Sequence, residues 1–237
     1  MKHRFVDIHH HLAYGVDDGP KSFKQMQKML RYAAEQGIGT IIATPHATPG
    51  VHRFHLDEYR RALAEARAYC IQEGLEIEIL EGCEVLYTDQ APRLLGERQL
   101  PTLNGTDFVL VEFSPDIKFS KLREALDCLV CEGFRPVIAH VERYDCLTHR
   151  PSRAEKLKEE LGVKLQVNCA SIIRKKGWHV RHFVKRMLEN QLIDALGTDA
   201  HNVDSRAANM KEAYGIVKKK YGGKYAKRLT NGSFLAE

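Results

Sequence analysis

The chain has 237 residues, with 36 Lys or Arg against 31 Asp or Glu, so its formal net charge is +5 with histidine neutral. This length and ordinary composition are those of a globular protein with a substantial core, which excludes a disordered or fibrous chain. The basic residues are spread out apart from short clusters at 174–176 and 218–220, which disfavours nucleic-acid binding and fits an anionic substrate equally well.

The compartment can be judged from the chain start, the apolar runs and the cysteines. The first residues are polar and lead directly into a strand-like run, so we expect no signal peptide. Apolar stretches fall well short of the roughly 20 residues of a membrane-spanning helix, so we expect no membrane insertion. We therefore expect a cytoplasmic protein with mostly buried free thiols among its cysteines, at positions 70, 83, 128, 131, 146 and 169.

Cys128 and Cys131 form a CxxC motif within a helix-like segment. A zinc ribbon needs a second such pair at a set spacing, and the chain has none. We therefore expect two core-facing thiols on a helix, rather than a zinc ligand pair or a redox pair.

Short apolar or β-branched runs alternate with helix-like segments along the chain. Strands are predicted at 4–8, 39–44, 76–80, 107–111, 136–140, 164–168 and 193–198. Helices are predicted at 22–37, 55–74, 120–133 and 179–191, with helical apolar spacing such as that of Met26, Met29, Leu30 and Ala33. We expect N-caps at Ser22 and Ser120, and helix ends at Gly37, Gly74 and Gly133.

This alternation predicts an α/β fold with a parallel sheet. Because the chain contains neither a linker-like segment nor a repeat of fixed period, we expect a single domain over 1–237. Its strand–helix units fit a compact, TIM-like (β/α)7 barrel, and a doubly wound open sheet is the alternative.

Metal-competent side chains stand at the carboxyl ends of nearly all the predicted strands, the end at which barrel active sites form. His9 and His11 are separated by one residue, so both lie on one face of an extended chain while His10 points the other way. In the run VDDGPK, at 16–21, we expect Asp17 to form the turn and Asp18 to bind metal. The whole candidate set is His9, His11, Asp18, His46, Glu84, Glu112, His140, Asp199 and His201.

These ligand types limit both the metal and the substrate. Imidazole and carboxylate without thiolate suit Mn, Fe, Zn or Mg, and this many ligands suits two or three ions. Three divalent ions would carry six positive charges against four negative charges from the ligating carboxylates, so the site favours an anion such as phosphate. Arg143 and Arg206 follow two of the ligands closely and are candidates to bind it, because guanidinium matches phosphate bidentately; each alone also fits a surface arginine.

The segments DIHHH, DDGP, IIATPHAT, GCEV, VEFS, VIAHVERY and TDAHN together resemble the PHP (polymerase and histidinol phosphatase) superfamily. Their order is most similar to the bacterial protein-tyrosine phosphatases of capsule and exopolysaccharide operons, and the resemblance runs from about residue 4 to the C-terminus. Cys83 and the threonine of GTDAH depart slightly from the family pattern, and RKKGWH, at 174–179, is more basic than that pattern.

The resemblance implies a distorted (β/α)7 barrel with three divalent ions, Mn being the first choice. One ion would be held by His9, His11, Glu84 and Asp199; a second by Glu84, Glu112 and His140; and the third by Asp18, His46 and His201. Arg143 and Arg206 would bind phosphate. The implied activity is removal of phosphate from the tyrosine-rich tail of a partner bacterial tyrosine kinase, which controls polysaccharide export.

Two alternatives remain at this point. A small-molecule phosphatase, such as histidinol-phosphate phosphatase, would need a capped pocket built by the loops at 47–56, 85–93 and 113–120. A catalytically dead scaffold would lack a ligand, and no ligand is missing. A covalent phosphocysteine is not expected, because none of the cysteines begins the Cys-x5-Arg motif that such enzymes need.

Overall fold

The computed structural model describes residues 4–173 and 177–236, so the basic cluster at 174–176 lies outside the described residues. The strands are β1 (Phe5–His10), β2 (Ile38–Ala43), β3 (His46–Ala47), β4 (Glu78–Glu81), β5 (Glu84–Leu86), β6 (Phe108–Glu112), β7 (Arg135–Ile138), β8 (Lys164–Asn168) and β9 (Ala195–Gly197). Every strand predicted from the sequence is present, with boundaries shifted by a few residues.

The helices fill the intervals between the strands. They are α1 (Phe23–Glu35), α2 (Leu56–Gln72), α3 (Ala91–Gly96), α4 (Phe119–Cys131), α5 (Asp145–Thr148), α6 (Ser152–Leu161), α7 (Cys169–Ile173), α8 (Trp178–Glu189), α9 (Met210–Tyr221) and α10 (Gly223–Arg228). Among the described residues, none of these helices has the length and apolar character needed to cross a membrane.

The strands pair in parallel and the sheet curls back on itself. One sheet has the order β1-β2-β4 and the other has the order β3-β5-β6-β7-β8-β9. A parallel bridge between His10 and Ala200 joins the end of β1 to the residues after β9. The prediction of an α/β fold with a parallel sheet is therefore confirmed, whereas the seven-strand count of a (β/α)7 barrel is not.

The strand count differs because two of the predicted strands are each followed, after a short interruption, by an additional strand that was not predicted. Pro45, between β2 and β3, has no N–H to donate to a neighbouring strand. Gly82, between β4 and β5, lies so close to β2 that an added Cβ would stand 2.9 Å from Ile42 Cγ2. After these interruptions, short strands begin at His46 and at Glu84, and both belong to the second sheet.

The structure tests the predicted ends of helices α1, α2 and α4. Ser22 Oγ accepts a hydrogen bond from the backbone N–H of Gln25, which confirms its prediction as an N-cap. The prediction for Ser120 is wrong, because α4 begins at Phe119 and the carbonyl of Lys118 accepts the first helical hydrogen bonds. The predicted helix ends are confirmed by positive φ angles at Gly37, Gly74 and Gly133.

Alternate strand residues pack into two apolar clusters. The larger cluster lies between sheet and helices and includes Val109 and Val111 of β6. The smaller cluster lies on the opposite face and includes Leu110 of β6, with Phe234 packed against Phe108 at 5.1 Å between ring centroids. Because residues two apart share a strand face, Leu110 stands below Glu112, and apolar packing supports the carboxyl ends of the strands.

The cysteines only partly follow prediction. Cys70, Cys83 and Cys169 are buried, and Cys146 is half-buried. The prediction that Cys128 and Cys131 face the core is wrong, because both are exposed. Helix α4 turns a different stripe inward, made by Leu122, Ala125, Leu126 and Leu129.

Candidate metal centre

The side chains predicted as metal ligands lie at or just beyond the carboxyl ends of β1, β2, β4, β6, β7 and β9. His9 lies in β1 and His11 follows it, while Glu112 is the last residue of β6. His46 and Glu84 begin the short strands β3 and β5. The other candidates lie in the segments after β1, β7 and β9; they are Asp18, His140, Asp199 and His201. The structure thus brings the whole predicted set to one face of the sheet.

His9, His11 and Glu84 form the first donor group. The Nε2 atoms of His9 and His11 lie 3.2 Å apart. Glu84 Oε2 lies 3.1 Å from His9 Nε2 and 3.2 Å from His11 Nε2. Asp199 Oδ1 is 3.6 and 3.5 Å from the same two nitrogens. These four residues are the set that the resemblance assigns to one ion.

Glu84 also belongs to a second group. Its Oε1 accepts a hydrogen bond from His140 Nε2 at 2.8 Å, and Glu112 Oε2 lies 3.4 Å from that nitrogen. His46 Nδ1 stands 3.1 Å from both Glu84 Oε2 and Glu112 Oε1. This group contains the set that the resemblance assigns to the second ion, and it adds His46.

The third group lies nearest the surface. Asp18 Oδ1 is 3.1 Å from His201 Nε2 and 3.5 Å from His46 Nε2. The ring of His11 lies against that of His201, with centroids 3.7 Å apart, and its donor atom falls within the same group. His46 therefore turns one ring nitrogen to this group and the other to the second group.

The chemistry of these donors fits divalent ions. Glu84 Oε2 and His201 Nε2 are buried and have no hydrogen-bond partner within the described residues. A buried polar atom left without a partner costs roughly 1–3 kcal/mol, and lone pairs that face one another repel. A cation between them relieves both penalties, and imidazole with carboxylate suits Mn, Fe, Zn or Mg.

Burial and neighbouring charges shift the pKa values of the donor residues. Burial opposes the charged form of His11 and His140, but hydrogen bonds and neighbouring carboxylates raise the pKa of each to about 9. For Asp199, burial is outweighed by the His9 charge, and its pKa falls to about 2. Burial and the nearby His11 lower the pKa of His201 to about 4. The Asp199 carboxylate therefore stays ionised beside these histidines.

Asp17 has a larger role than the predicted turn. Its Oδ1 accepts from the N–H of Gly19 at 2.9 Å, which forms the turn. Its Oδ2 accepts from His11 Nδ1 at 2.6 Å and from the N–H of His46 at 3.1 Å. Burial would raise the pKa of Asp17, but these hydrogen bonds lower it well below its usual value. Asp17 therefore fixes the orientation of His11.

Gln166, in β8, was missed by sequence reasoning. Its Oε1 accepts from the N–H of His140 at 2.7 Å and lies 3.0 Å from His9 Nδ1. Its Nε2 donates to Asn168 Oδ1, and Asn168 Nδ2 donates to Asp199 Oδ2 at 2.8 Å. The available signal was the spacing of Gln166 and Asn168, which puts both amides on one strand face.

The backbone is left-handed at two candidate ligands. His140 has a φ of 33° and Asp199 a φ of 52°. Outside glycine, this region costs of order 1–3 kcal/mol per residue. The surroundings hold both, because His140 N–H donates to Gln166 and Asp199 N–H donates to the His9 carbonyl at 2.8 Å.

His10 differs from its two neighbours. It is fully buried, and burial lowers its pKa to about 3. It belongs to none of the donor groups in the described part of the chain, in line with the prediction that it faces away.

Both predicted arginines flank Asp199. Arg206 Nη2 donates to Asp199 Oδ1 at 2.7 Å, and its Nη1 lies 3.4 Å from Asp18 Oδ2. Arg143 Nη2 is 3.6 Å from Asp199 Oδ2, and 48% of its side chain is exposed. The three residues line a cavity of about 470 Å³ that opens beside the donor groups.

Residues 5–233 match the family described as "Capsular polysaccharide synthesis, CpsB/CapC". The chain belongs to this family. The resemblance to phosphatases of capsule operons is thereby confirmed. Among curated CpsB/CapC relatives, "Tyrosine-protein phosphatase CpsB" of Streptococcus pneumoniae is 33% identical over 229 residues, 94% of each chain. "Tyrosine-protein phosphatase YwqE" of Bacillus subtilis is 33% identical over 230 residues, 97% of this chain and 90% of that one.

Solved structures agree with the family assignment. A crystal structure from work on YwqE of Bacillus subtilis and CpsB of Streptococcus pneumoniae, described as unique metal-dependent tyrosine phosphatases, matches with a TM-score of 0.86 at 32% identity. It covers 94% of this chain and 90% of that one. The histidinol phosphate phosphatase of Lactococcus lactis matches with a TM-score of 0.60 at 17% identity over 91% of this chain and 93% of that one. This second likeness shows a shared fold alone.

Proposed function

We propose that this protein is a metal-dependent protein-tyrosine phosphatase that acts on the tyrosine-rich tail of a bacterial tyrosine kinase and so regulates capsular or exopolysaccharide synthesis. The observation that carries the proposal is the convergence of three donor groups on Glu84 and His46 beside two arginines. Family membership and the names of the relatives support the substrate class.

We assign three divalent ions, with Mn as the first choice, to the three donor groups. Glu84 would bridge the first two groups, and His46 would stand between the second and third. When bound, such ions lower the pKa of water to generate a nucleophile and offset charge on the phosphoryl oxygens. The remaining assignments are His9, His11 and Asp199 to one ion, Glu112 and His140 to another, and Asp18 and His201 to the third.

The two arginines would bind and orient the phosphate. Arg206 and Arg143 reach Asp199 from the cavity side, so an anion in that cavity meets both guanidinium groups. Planar guanidinium donors match phosphate oxygens bidentately and neutralise charge that grows in the transition state. Gln166 and Asp17 contact the rings of His9 and His11, which belong to the donor groups beside this cavity.

Tyrosine is a suitable leaving group for such a site. Its phenol titrates near about 10, so phenolate departs with little help from a general acid. A cysteine nucleophile is not needed. Burial raises the pKa of the Cys83 and Cys169 thiols, and none of the donor groups in the described residues includes a cysteine.

Turnover of two substrates tests the proposal. We expect Mn-loaded protein to hydrolyse a phosphotyrosyl peptide faster than histidinol phosphate, and we expect a chelator to abolish both activities. Equal or greater rates on histidinol phosphate would overturn the tyrosine assignment. Activity that survives chelation but is lost on thiol alkylation would overturn the metal mechanism.

We also propose that β2 with β3, and β4 with β5, are two interrupted strands of a single-domain distorted (β/α)7 barrel. The Glu84 N–H donates to the Pro45 carbonyl at 3.0 Å, so pairing continues across both interruptions. The bridge between His10 and Ala200 supports closure of the sheet.

A further inference from the structure

A groove of about 730 Å³ lies between α7, α8 and α9, apart from the donor groups. Apolar side chains line part of it, among them Ile172, Ile173 and Ile216, each of which is only partly buried. The proposed hydrolysis of phosphotyrosine uses none of these residues, so the groove needs another explanation.

Basic side chains line the rim of this groove. Arg181 and Lys185 stand one turn apart on α8, and Lys220 approaches from α9; all three are exposed. The single acid among the described lining residues is Glu189, whose Oε1 is 3.6 Å from Lys185 Nζ. The groove therefore carries an excess of positive charge and is complementary to an acidic partner.

An exposed tryptophan stands at one end of the groove. The side chain of Trp178 is 64% exposed. Its ring stacks on that of His182, with centroids 5.2 Å apart and an angle of 7° between the planes. The ring also meets that of His179 edge-on, with centroids 5.0 Å apart, and its exposed part is accessible to an aromatic or apolar side chain.

The groove adjoins the proposed phosphate-binding cavity. Ser171 of α7 lines both the groove and the cavity that contains Arg143 and Arg206. Val180 of α8 also lines that cavity. A peptide whose phosphate lies between the arginines can therefore cross Ser171 and enter the groove within a few residues, at about 3.3 Å per extended residue.

We propose that the groove between α7, α8 and α9 binds the segment flanking phosphotyrosine in the substrate chain, and that this segment is acidic and contains aromatic residues. This inference rests on the proposed function, because the position of the groove beside the cavity matters only if a peptide phosphate binds there. A peptide fits better than a membrane surface. The basic side chains surround a concave groove that adjoins the proposed active site, and a bilayer cannot enter such a groove.

Two phosphotyrosyl peptides test the proposal, one flanked by Glu and Tyr and the other by Ser and Gly. We expect the Mn-loaded wild-type protein to prefer the acidic peptide by about tenfold in kcat/KM, mainly through KM. We expect Arg181→Glu/Lys185→Glu to remove this preference and Trp178→Ala to reduce it. Turnover of a small aryl phosphate should stay unchanged in both variants, which also shows that they fold.

The matched control is Lys224→Glu/Lys227→Glu, which makes the same charge change on exposed positions of α10 that do not line the groove. The control should retain the full preference. Added salt should weaken the preference of the wild-type protein, because exposed charges are screened.

Specific outcomes would overturn the proposal. One is equal loss in the groove variant and the α10 variant, which would indicate a general charge effect. Another is that Arg181→Glu/Lys185→Glu keeps the peptide preference of the wild-type protein but loses the ability of the wild-type protein to cosediment with anionic phospholipid vesicles. That result would assign the groove to a membrane surface. If the wild-type protein hydrolyses neither peptide and no free phosphotyrosine, the proposed function itself fails.

Discussion

Asp17 and Asp18 are neighbours in sequence that occupy contrasting surroundings. The side chain of Asp17 is 4% exposed and bonds to His11, whereas that of Asp18 is 58% exposed and faces His201. Removal of a metal ligand lowers the number of ions bound, whereas removal of a buried group that orients a ligand weakens the affinity for the ion. Separate substitutions therefore distinguish these two assignments.

We expect Asp18→Ala to lower the number of bound Mn ions per chain, because it removes an oxygen from the third donor group. We expect Asp17→Ala to keep that number at saturating metal but to weaken affinity about 10–100-fold, as loss of an orienting partner does. Elemental analysis after desalting, combined with Mn titration, measures both. Full metal content and unchanged affinity in Asp18→Ala would contradict its assignment as a ligand.

Strands β1 and β9 approach each other closely beneath the donor groups. A Cβ added at Gly197 would stand 2.7 Å from His9 Cβ and 2.8 Å from Gln166 Nε2. The φ of Gly197 is not in the left-handed region, so the constraint is the lack of space. Because Gly197 has no side chain, β9 can pack directly against the side chain of His9.

We expect Gly197→Ala to destabilise the protein by about 1–3 kcal/mol and to weaken metal binding, because it overpacks the contact with His9. The control is Gly215→Ala in α9, where an added Cβ meets nothing within 4 Å. That change should stabilise the helix by about 0.5–1 kcal/mol. Urea unfolding measures both variants, and equal stability of the two would contradict the packing account.

The sequence predicted the strands better than their pairing. Apolar runs mark where strands lie, but the interruption at Gly82 depends on its close approach to β2, which the sequence does not show. The orientation of Cys128 was missed because a thiol is small enough for either side of α4, and the larger leucines decide which side turns inward. Gln166 was missed because an uncharged amide gives no metal-ligand signal. The candidate ligands could be predicted from the sequence because histidines and acidic residues recur at the ends of the predicted strands.

At the scale of the whole molecule, the donor groups join the first strand to the last. His9 comes from β1, Glu84 from β5, and Asp199 follows β9, so ions bound between them would link segments distant in sequence. Ligands that bind only the native state stabilise it in proportion to their occupancy.

We expect Mn at a hundredfold excess over its dissociation constant to add about 2.7 kcal/mol per independent site. For a chain of this size, that corresponds to a rise in Tm of about 5–10 °C per site. Thermal unfolding with and without chelator measures the shift, and Asp18→Ala should show a smaller one. An unchanged Tm with Mn, Fe and Zn would contradict the three-ion assignment.

The left-handed backbone at His140 and Asp199 has an evolutionary consequence. Both residues hold conformations that glycine or asparagine adopts more easily, so replacement would relieve strain while it removes a candidate ligand. In a lineage that no longer needs the enzyme, such replacements meet little resistance from folding. We therefore expect inactive descendants of this chain to diverge early at these two positions, before the apolar core changes.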